Sequence, residues 1–431
     1  MTALLSCLVS ISCAQQTEGT AVPLQTTDRP TVRSLSRLLR PVHRTAATPN
    51  PERVLDAQRA VASGLLLHLA SQPSPPLNIV VSPASLGMAL AMLDLGADDD
   101  LKAAIRETLG FNSKNGKQAG DDLVGLRDAA KTLQADKEVS DLFAAANAIV
   151  IDPANQPVAA GLRKAARSGA TIFNKPPSTA LVTQINEWVS SKTKGLIPSI
   201  LERLPADFGL YVLSTLYFRD KWALQFDPGK TRQMPFQHAD GSSSEVAMMS
   251  GRFERVPTRG DDRFVAAELR YAHDRFSLVL ITTRNEPLPA SGLAPVAGWL
   301  DGKDFVEKPI ELSLPRFESR ESVELLEALE AIGLKQSLAS PTALKNFAAK
   351  PVSVSQMLQK TFLQVDEIGT KAAAATAAVA TRSAFDAEID SIVFNKPFLF
   401  ALRDQTTGLI LICGYVGQPN QSMSAAKTDG P

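Results

Sequence analysis

Residues able to do chemistry on their own account are sparse in this chain. Ser191-Lys-Thr-Lys194 has the Ser-x-x-Lys spacing in which an amine can activate a serine for acyl transfer. Four residues match that pattern readily by chance, and the Ser-Asp-Asn partner such enzymes need is missing from the sequence. The histidines, His43, His68, His238 and His273, form no His-x-x-x-His pair, and there is no Cys-x-x-Cys and no Gly-x-Ser-x-Gly elbow. His68 falls in the apolar helical run 54–69 and reads as a core residue rather than a ligand. Asp98, Asp99 and Asp100 lack the Gly and distal Glu of a calcium loop, so they read as a helix cap with first-turn charges. An enzyme is disfavoured, and neither a metal nor a cofactor is expected.

A different kind of chemistry is written in residues 367–381, Glu-Ile-Gly-Thr-Lys-Ala-Ala-Ala-Ala-Thr-Ala-Ala-Val-Ala-Thr. Alanine alone favours a helix. Alternation points instead to a strand: Thr370, Ala372, Ala374, Thr376, Ala378 and Ala380 share one face, and Lys371 falls on the other. An interior packed to crystal density accepts an extra strand only if its buried side chains are small and uncharged. This segment meets that condition at every inward position. Its flanks are apolar strands, with Phe362, Leu363 and Val365 before it. Residues 399–403 and 408–416 follow as a hairpin around a polar turn.

The elements that would position such a segment resemble the serpin family, inhibitors whose exposed loop inserts into a central sheet. Serpin insertion is a recognised example of strand addition and of an order–disorder switch. The resemblance rests on an ordered set of motifs over residues 53–419. Asn78-Ile-Val-Val-Ser-Pro-Ala-Ser85 resembles the strand that feeds a buried helix, with Ser82 suited to cap it and Pro83 to its first position. Asn186-Glu-Trp-Val189, Tyr217-Phe-Arg-Asp-Lys-Trp222, Phe226-Asp-Pro228, Glu311-Leu-Ser-Leu-Pro-Arg-Phe317 and Phe394-Asn-Lys-Pro-Phe398 complete the set. There are departures. Where serpins often pair a His and an Asn at the point of sheet parting, this chain places Gln359 and Ser214, with Ser82 and Ser85 retained nearby. Ile368 replaces a usually polar residue between the hinge Glu367 and Gly369.

The resemblance implies an α+β fold of three β-sheets with about eight or nine helices and an exposed reactive-centre loop. It implies a suicide-substrate inhibitor of serine proteases. The target is acylated on the loop and carried across as a covalent acyl complex while the loop inserts. Glu367, Gly369, Thr370, Ala372, Ala373, Ala374 and Ala375 would form the hinge. Ser82, Ser85, Ser214, Trp222 and Gln359 would line the region that opens. Arg382–Ser383 is the favoured reactive bond, because arginine suits a trypsin-like specificity pocket. The family's usual count from the hinge lands on Ser383–Ala384, which suits elastase- or subtilisin-like enzymes, and Phe385 is a third site. A cysteine protease target is also compatible. Cleavage as a plain substrate and a non-inhibitory carrier or chaperone role are the alternatives.

Length alone would suggest two or three domains, whereas the resemblance implies one large domain with an N-terminal tail. The chain has 431 residues, 44% of them hydrophobic, with 45 basic and 45 acidic side chains. Nothing in that balance calls for nucleic acid, and a monomer is expected. Residues 1–14 form a short apolar leader-like stretch ending Ser12-Cys-Ala14, which favours secretion to the extracellular space although it lacks a basic start. A lipoprotein or periplasmic placement through Cys7 or Cys13 is the alternative. Residues 15–52 are a Thr-, Pro- and Arg-rich stretch read as a disordered tail, and residues 420–431 as a flexible end. No stretch suits a membrane span. Cys413 is read as a buried, inert thiol.

Overall fold

The computed structural model describes residues 51–72, 76–111, 116–136, 139, 141–320, 322–370 and 389–419. The reactive-bond candidates Arg382, Ser383 and Ala384 and the hinge positions Ala372, Ala373, Ala374 and Ala375 lie outside them. So do the leader, the tail as far as residue 50, and residues 420–431.

Three sheets organise the chain. The central one has six strands: β2 (Phe143–Ile151), β3 (Ala170–Asn174), β4 (Leu210–Phe218), β11 (Phe317–Ser319), β12 (Ser322–Glu324) and β13 (Val354–Val365). Their order is β11-β13-β4-β2-β3, with β12 also on β13. A nine-stranded sheet comprises β1 (Asn78–Val81), β6 (Arg232–Gln237), β7 (Ser243–Gly260), β8 (Phe264–Arg270), β9 (Phe276–Thr283), β10 (Val306–Pro315), β15 (Asp390–Val393), β16 (Phe398–Asp404) and β17 (Ile410–Val416). The third sheet is only β5 (Asp220–Lys221) with β14 (Gly369–Thr370).

Eight α-helical segments are present among the described residues: α1 (Pro51–Ala70), α2 (Pro83–Gly96), α3 (Asp99–Thr108), α4 (Gly116–Ala135), α5 (Ala159–Arg167), α6 (Thr179–Lys192), α7 (Leu326–Leu329) and α8 (Lys335–Ala339). Helix α1 begins at Pro51, two residues ahead of the start expected for the domain; proline is well tolerated in a first turn. Between α7 and α8 the chain kinks at Gly333, whose φ of 123° a side chain would strain against.

Helix α2 explains how the central sheet is supported. Ser82 caps it, its hydroxyl accepting from the Ser85 amide at 3.1 Å, and Pro83 takes the first position. Nearly every residue from Pro83 to Leu93 is buried, as an apolar helix enclosed on all sides must be. Ile149, Val212 and Met357 of the central sheet share its core. On the opposite face α6 lays Leu181, Ile185 and Val189 against Val150, Leu213, Tyr217 and Phe362. The Asn186 amide then fixes the return toward β4, accepting from the Ile200 and Leu201 amides and donating to the Leu201 carbonyl.

The expected hairpin at the C-terminal end is β16–β17, turning at Gly408 with φ of 78°. Cys413 lies inside it, wholly buried, and burial pushes its thiol up out of the reactive range. His68 differs from expectation. It is half-buried, its Nε2 2.9 Å from the Gln72 side-chain amide nitrogen. Among the described residues no helix is long and apolar enough to cross a membrane.

Asp98 does cap α3, its carboxylate accepting from the Leu101 amide at 2.9 Å, with Asp99 and Asp100 in the first turn. Asp98→Ala should cost about 1 kcal/mol, read as a lowered urea midpoint; an unmoved midpoint would show the cap to be energetically silent.

Candidate functional site

In the central sheet β4 and β13 are direct neighbours, parallel, registered from Val354↔Leu210 to Phe362↔Tyr217. This seam carries two polar sites separated by the six residue steps from Gln359 to Val365, about 20 Å of extended strand.

The first lies at the end of β13. Val365 leads into a tight turn in which the Asp366 carboxylate accepts from the Ile368 and Gly369 amides at 3.0 and 3.2 Å. Gly369 and Thr370 then pair antiparallel with Lys221 and Asp220. Gly369 is required twice over. Its φ is 152°, and a Cβ would stand 2.2 Å from the Asp220 carbonyl oxygen. Glu367, only 4% exposed, is held by Arg316 through three contacts of 2.6–2.9 Å and by the Thr231 hydroxyl. Its carbonyl accepts from the Phe226 amide at 2.9 Å. Trp222 donates its indole N–H to the Asp366 carbonyl at 2.8 Å and stacks on Tyr271, ring centroids 4.5 Å apart. The Tyr271 hydroxyl meets the Thr370 hydroxyl at 2.8 Å, and burial drives that phenol well above its ordinary range. His273 closes the group, its Nδ1 2.8 Å from the Asp220 carboxylate.

Thr370 is therefore already buried, but beside β5 and Tyr271 rather than between β4 and β13. Gly369 and Thr370 are folded onto the top of the seam, outside the central sheet.

The second site lies where α2 meets the back of the sheet. Ser82, Ser85, Ser214 and Gln359 are each at most 1% exposed and lie together, whereas Trp222, grouped with them in the sequence, lies at the first site instead. Gln359 and Ser214 are register partners across the seam. Their side chains part company, however. The Gln359 amide takes both polar groups of the Ser82 backbone, accepting from its N–H at 2.6 Å and donating to its carbonyl at 3.0 Å. Ser214 instead meets the Ser85 hydroxyl in a short hydrogen bond. The Ser82 hydroxyl goes on to the Leu411 carbonyl at 2.7 Å. The cluster is neutral, as expected from Gln and Ser in place of a His–Asn pair.

Four residues of these sites were not singled out from sequence. Arg316 stood inside a quoted motif, but nothing local pairs it with Glu367, 51 positions on. Thr231 and Tyr271 carry no signal at all. Asn147 could have been noticed, as the lone amide in the otherwise apolar strand Phe143–Ile151; it lies directly opposite Ser214.

A family model described as Serpin (serine protease inhibitor) matches residues 56–419. The chain is 27% identical over 364 residues to Neuroserpin from Homo sapiens, covering 79% of this chain and 86% of that one. It is 30% identical over 356 residues to Serine protease inhibitor 42Dd from Drosophila melanogaster, covering 79% and 92% respectively. Among solved structures, the thermophilic serpin tengpin in its native state matches with a TM-score of 0.74 at 22% identity, over 87% of this chain and 96% of that one. A likeness at that identity establishes the fold.

Two expectations follow from the hinge. Arg316→Ala strips the nearly buried Glu367 of its main partner, and charge-assisted bonds of this kind are worth about 1.5–3 kcal/mol, toward the lower end where one partner is half-exposed. Amide hydrogen exchange at 366–370 should then quicken by roughly tenfold; unchanged exchange would show that the pair does not hold the hinge. Burial raises the Asp366 carboxyl above its ordinary value, outweighing the Ile368 and Gly369 amides that lower it, with the Glu367 charge adding to the rise. The folded chain thus takes up this proton before the unfolded one does. Its stabilising contribution is complete below about pH 3.9, the ordinary Asp value, and is lost as pH rises through the higher folded value. Asp366→Asn keeps the acceptor without the charge, so its thermal midpoint should gain less than wild type on acidification. A larger gain in the variant contradicts this assignment.

Proposed function

Because the chain belongs to the serpin family, a family of protease inhibitors and not of enzymes, we propose that it inhibits serine endopeptidases as a suicide substrate. The protease serine attacks the Arg382 carbonyl carbon, the peptide bond to Ser383 breaks, and Ser383 leaves as a new amino terminus. The loop upstream, now an ester of the protease, then enters between β4 and β13 from Gly369 and Thr370 onward.

One observation carries this reading: β4 and β13 are parallel and bonded directly to each other, while Gly369–Thr370 rests at the end of their seam. Insertion breaks one ladder and makes two. The net gain is about ten backbone hydrogen bonds at roughly 0.5–1.5 kcal/mol each. Distorting a triad or oxyanion hole costs several kcal/mol, so the gain is of the size needed to stall deacylation. The small, uncharged residues at 372, 374, 376, 378 and 380 suit the space between two packed layers. The leader-like residues 1–14 support action outside the cytoplasm, and Arg382 supports a trypsin-like partner.

Mixing the full chain with trypsin, and separately with elastase or subtilisin, tests this on denaturing gels. A stable band at the summed mass is expected with trypsin, and the released fragment should begin at Ser383. A fragment beginning at Ala384 would move the reactive bond to Ser383–Ala384. Arg382→Ala should abolish the trypsin complex, and Ala374→Arg should leave cleavage intact while removing the band, since a charge cannot enter the sheet. Cleavage without any band, in every pairing, would mark the loop as a plain substrate and overturn inhibition.

A further inference from the structure

Beside the seam cluster stands an unpaired acceptor, while the Thr215 and Thr361 hydroxyls on the seam strands are also buried without a partner. Asn147 on β2 is 5% exposed, and its carbonyl oxygen Oδ1 is buried with no hydrogen-bond partner. Buried acceptors left unpaired are uncommon and ask for a reason. Asn147 lies directly opposite Ser214 in the β2–β4 ladder, so the two side chains share a face at cross-strand contact distance.

The bonds around it divide unequally between the two sides of the seam. Gln359 fastens β13 to the Ser82 peptide at the N-terminus of α2 by two hydrogen bonds, and Ser82 is fastened in turn to β17. Among the described residues, the side-chain hydrogen bond from β4 to the same helix is Ser214 to Ser85, beside the apolar packing of Val212. β4 and β2 are paired over their full length, Phe143↔Phe218 to Ile151↔Leu210. A parting that keeps both the β2–β4 ladder and the Gln359 clasp intact carries β2 along with β4 and leaves α2 with β13. The Gln359 clasp survives this movement. The Ser85–Ser214 bond does not, and Ser214 is then a buried hydroxyl in need of an acceptor.

We propose that Asn147 is a positioning residue for sheet opening, its Oδ1 being the acceptor to which the Ser214 hydroxyl turns when its bond to Ser85 breaks. In the closed sheet the Asn147 oxygen stands idle. In the parting sheet it takes the hydroxyl released from Ser85, and it moves with that hydroxyl on the paired strand. Ser214 is a latch whose release Asn147 makes easier, and Gln359 is an anchor of the half that stays.

The inference rests on the loop-insertion reading, so the test measures insertion without a protease. A synthetic peptide of residues 370–383 is incubated with the full chain, and uptake is followed as the rise in thermal midpoint with time. Wild type should take up the peptide. Asn147→Ala should slow uptake by roughly tenfold, the rate equivalent of one lost hydrogen bond in the barrier. Ser214→Ala, with no hydroxyl to rehouse, should take it up faster than wild type. In the Ser214→Ala background, Asn147→Ala should make no further difference, because the two act as a pair. Asn147→Leu, similar in volume and lacking the acceptor, reads the same effect should the alanine variant fold poorly. An unchanged rate in Asn147→Ala and Asn147→Leu, or equal slowing with and without Ser214, overturns the proposal. A wild-type chain that never takes up the peptide overturns the insertion reading, and this proposal with it.

Discussion

The seam between β4 and β13 is the constraint to which the other features answer. Its strands are parallel, and no tight turn can join parallel neighbours. Between Phe218 and Val354 the chain instead builds most of the nine-stranded sheet before it returns. No short covalent connection spans the seam, so it is held shut only by its own ladder and by side chains planted on α2 and α6. On the other side of β4 the ladder to β2 is antiparallel and nine residue pairs long. The β4–β13 seam is thus a line along which the sheet can part, and an incoming strand there could bond on both edges.

The hinge is arranged to rest at that line without entering it. Glu367 is pinned by Arg316 and Thr231, and Asp366 by the turn it makes with its own following amides. Gly369 lets the chain run flush against Asp220, after which Thr370 is buried against Tyr271. These contacts are to the top of the molecule, chiefly β5, Trp222 and Tyr271. None of them uses the edges of β4 or β13. Leaving them and pairing within the sheet are therefore alternatives for the same residues, which is the condition for a two-state segment.

Gln359 and Ser214 give the two sides of the seam different attachments. A glutamine amide carries a donor and an acceptor on one planar group, and here it matches the N–H and C=O of a single residue, Ser82. A hydroxyl is smaller, and Ser214 reaches only as far as Ser85. The two halves of the seam are consequently tied to one helix with different strengths. Both ties are neutral, so neither carries the desolvation cost of a buried charge.

Much of this was legible in the residues themselves. The alternation of very small side chains after Glu367 is the basis of the proposed insertion and lies outside the described residues. Ser82-Pro83 marks a helix start, and the apolar run behind it marks a helix enclosed on all sides. The turn around Gly408 marks a hairpin. Each signal is local, set by side-chain size, backbone freedom or capping within a few positions. What joins them is not local. That Arg316 meets Glu367, that Gln359 turns away from its register partner toward Ser82, and that Asn147 faces Ser214 with an idle oxygen depend on strands brought together from distances of 51 to 277 residues. Pairing of that kind is chosen by packing and by hydrogen-bond geometry in three dimensions. The sequence by itself determined which segments can be strand, helix and hinge. The tertiary structure alone decided which polar groups hold the sheet closed, because a hydrogen bond is directional and its partner is fixed by register and facing, not by residue type.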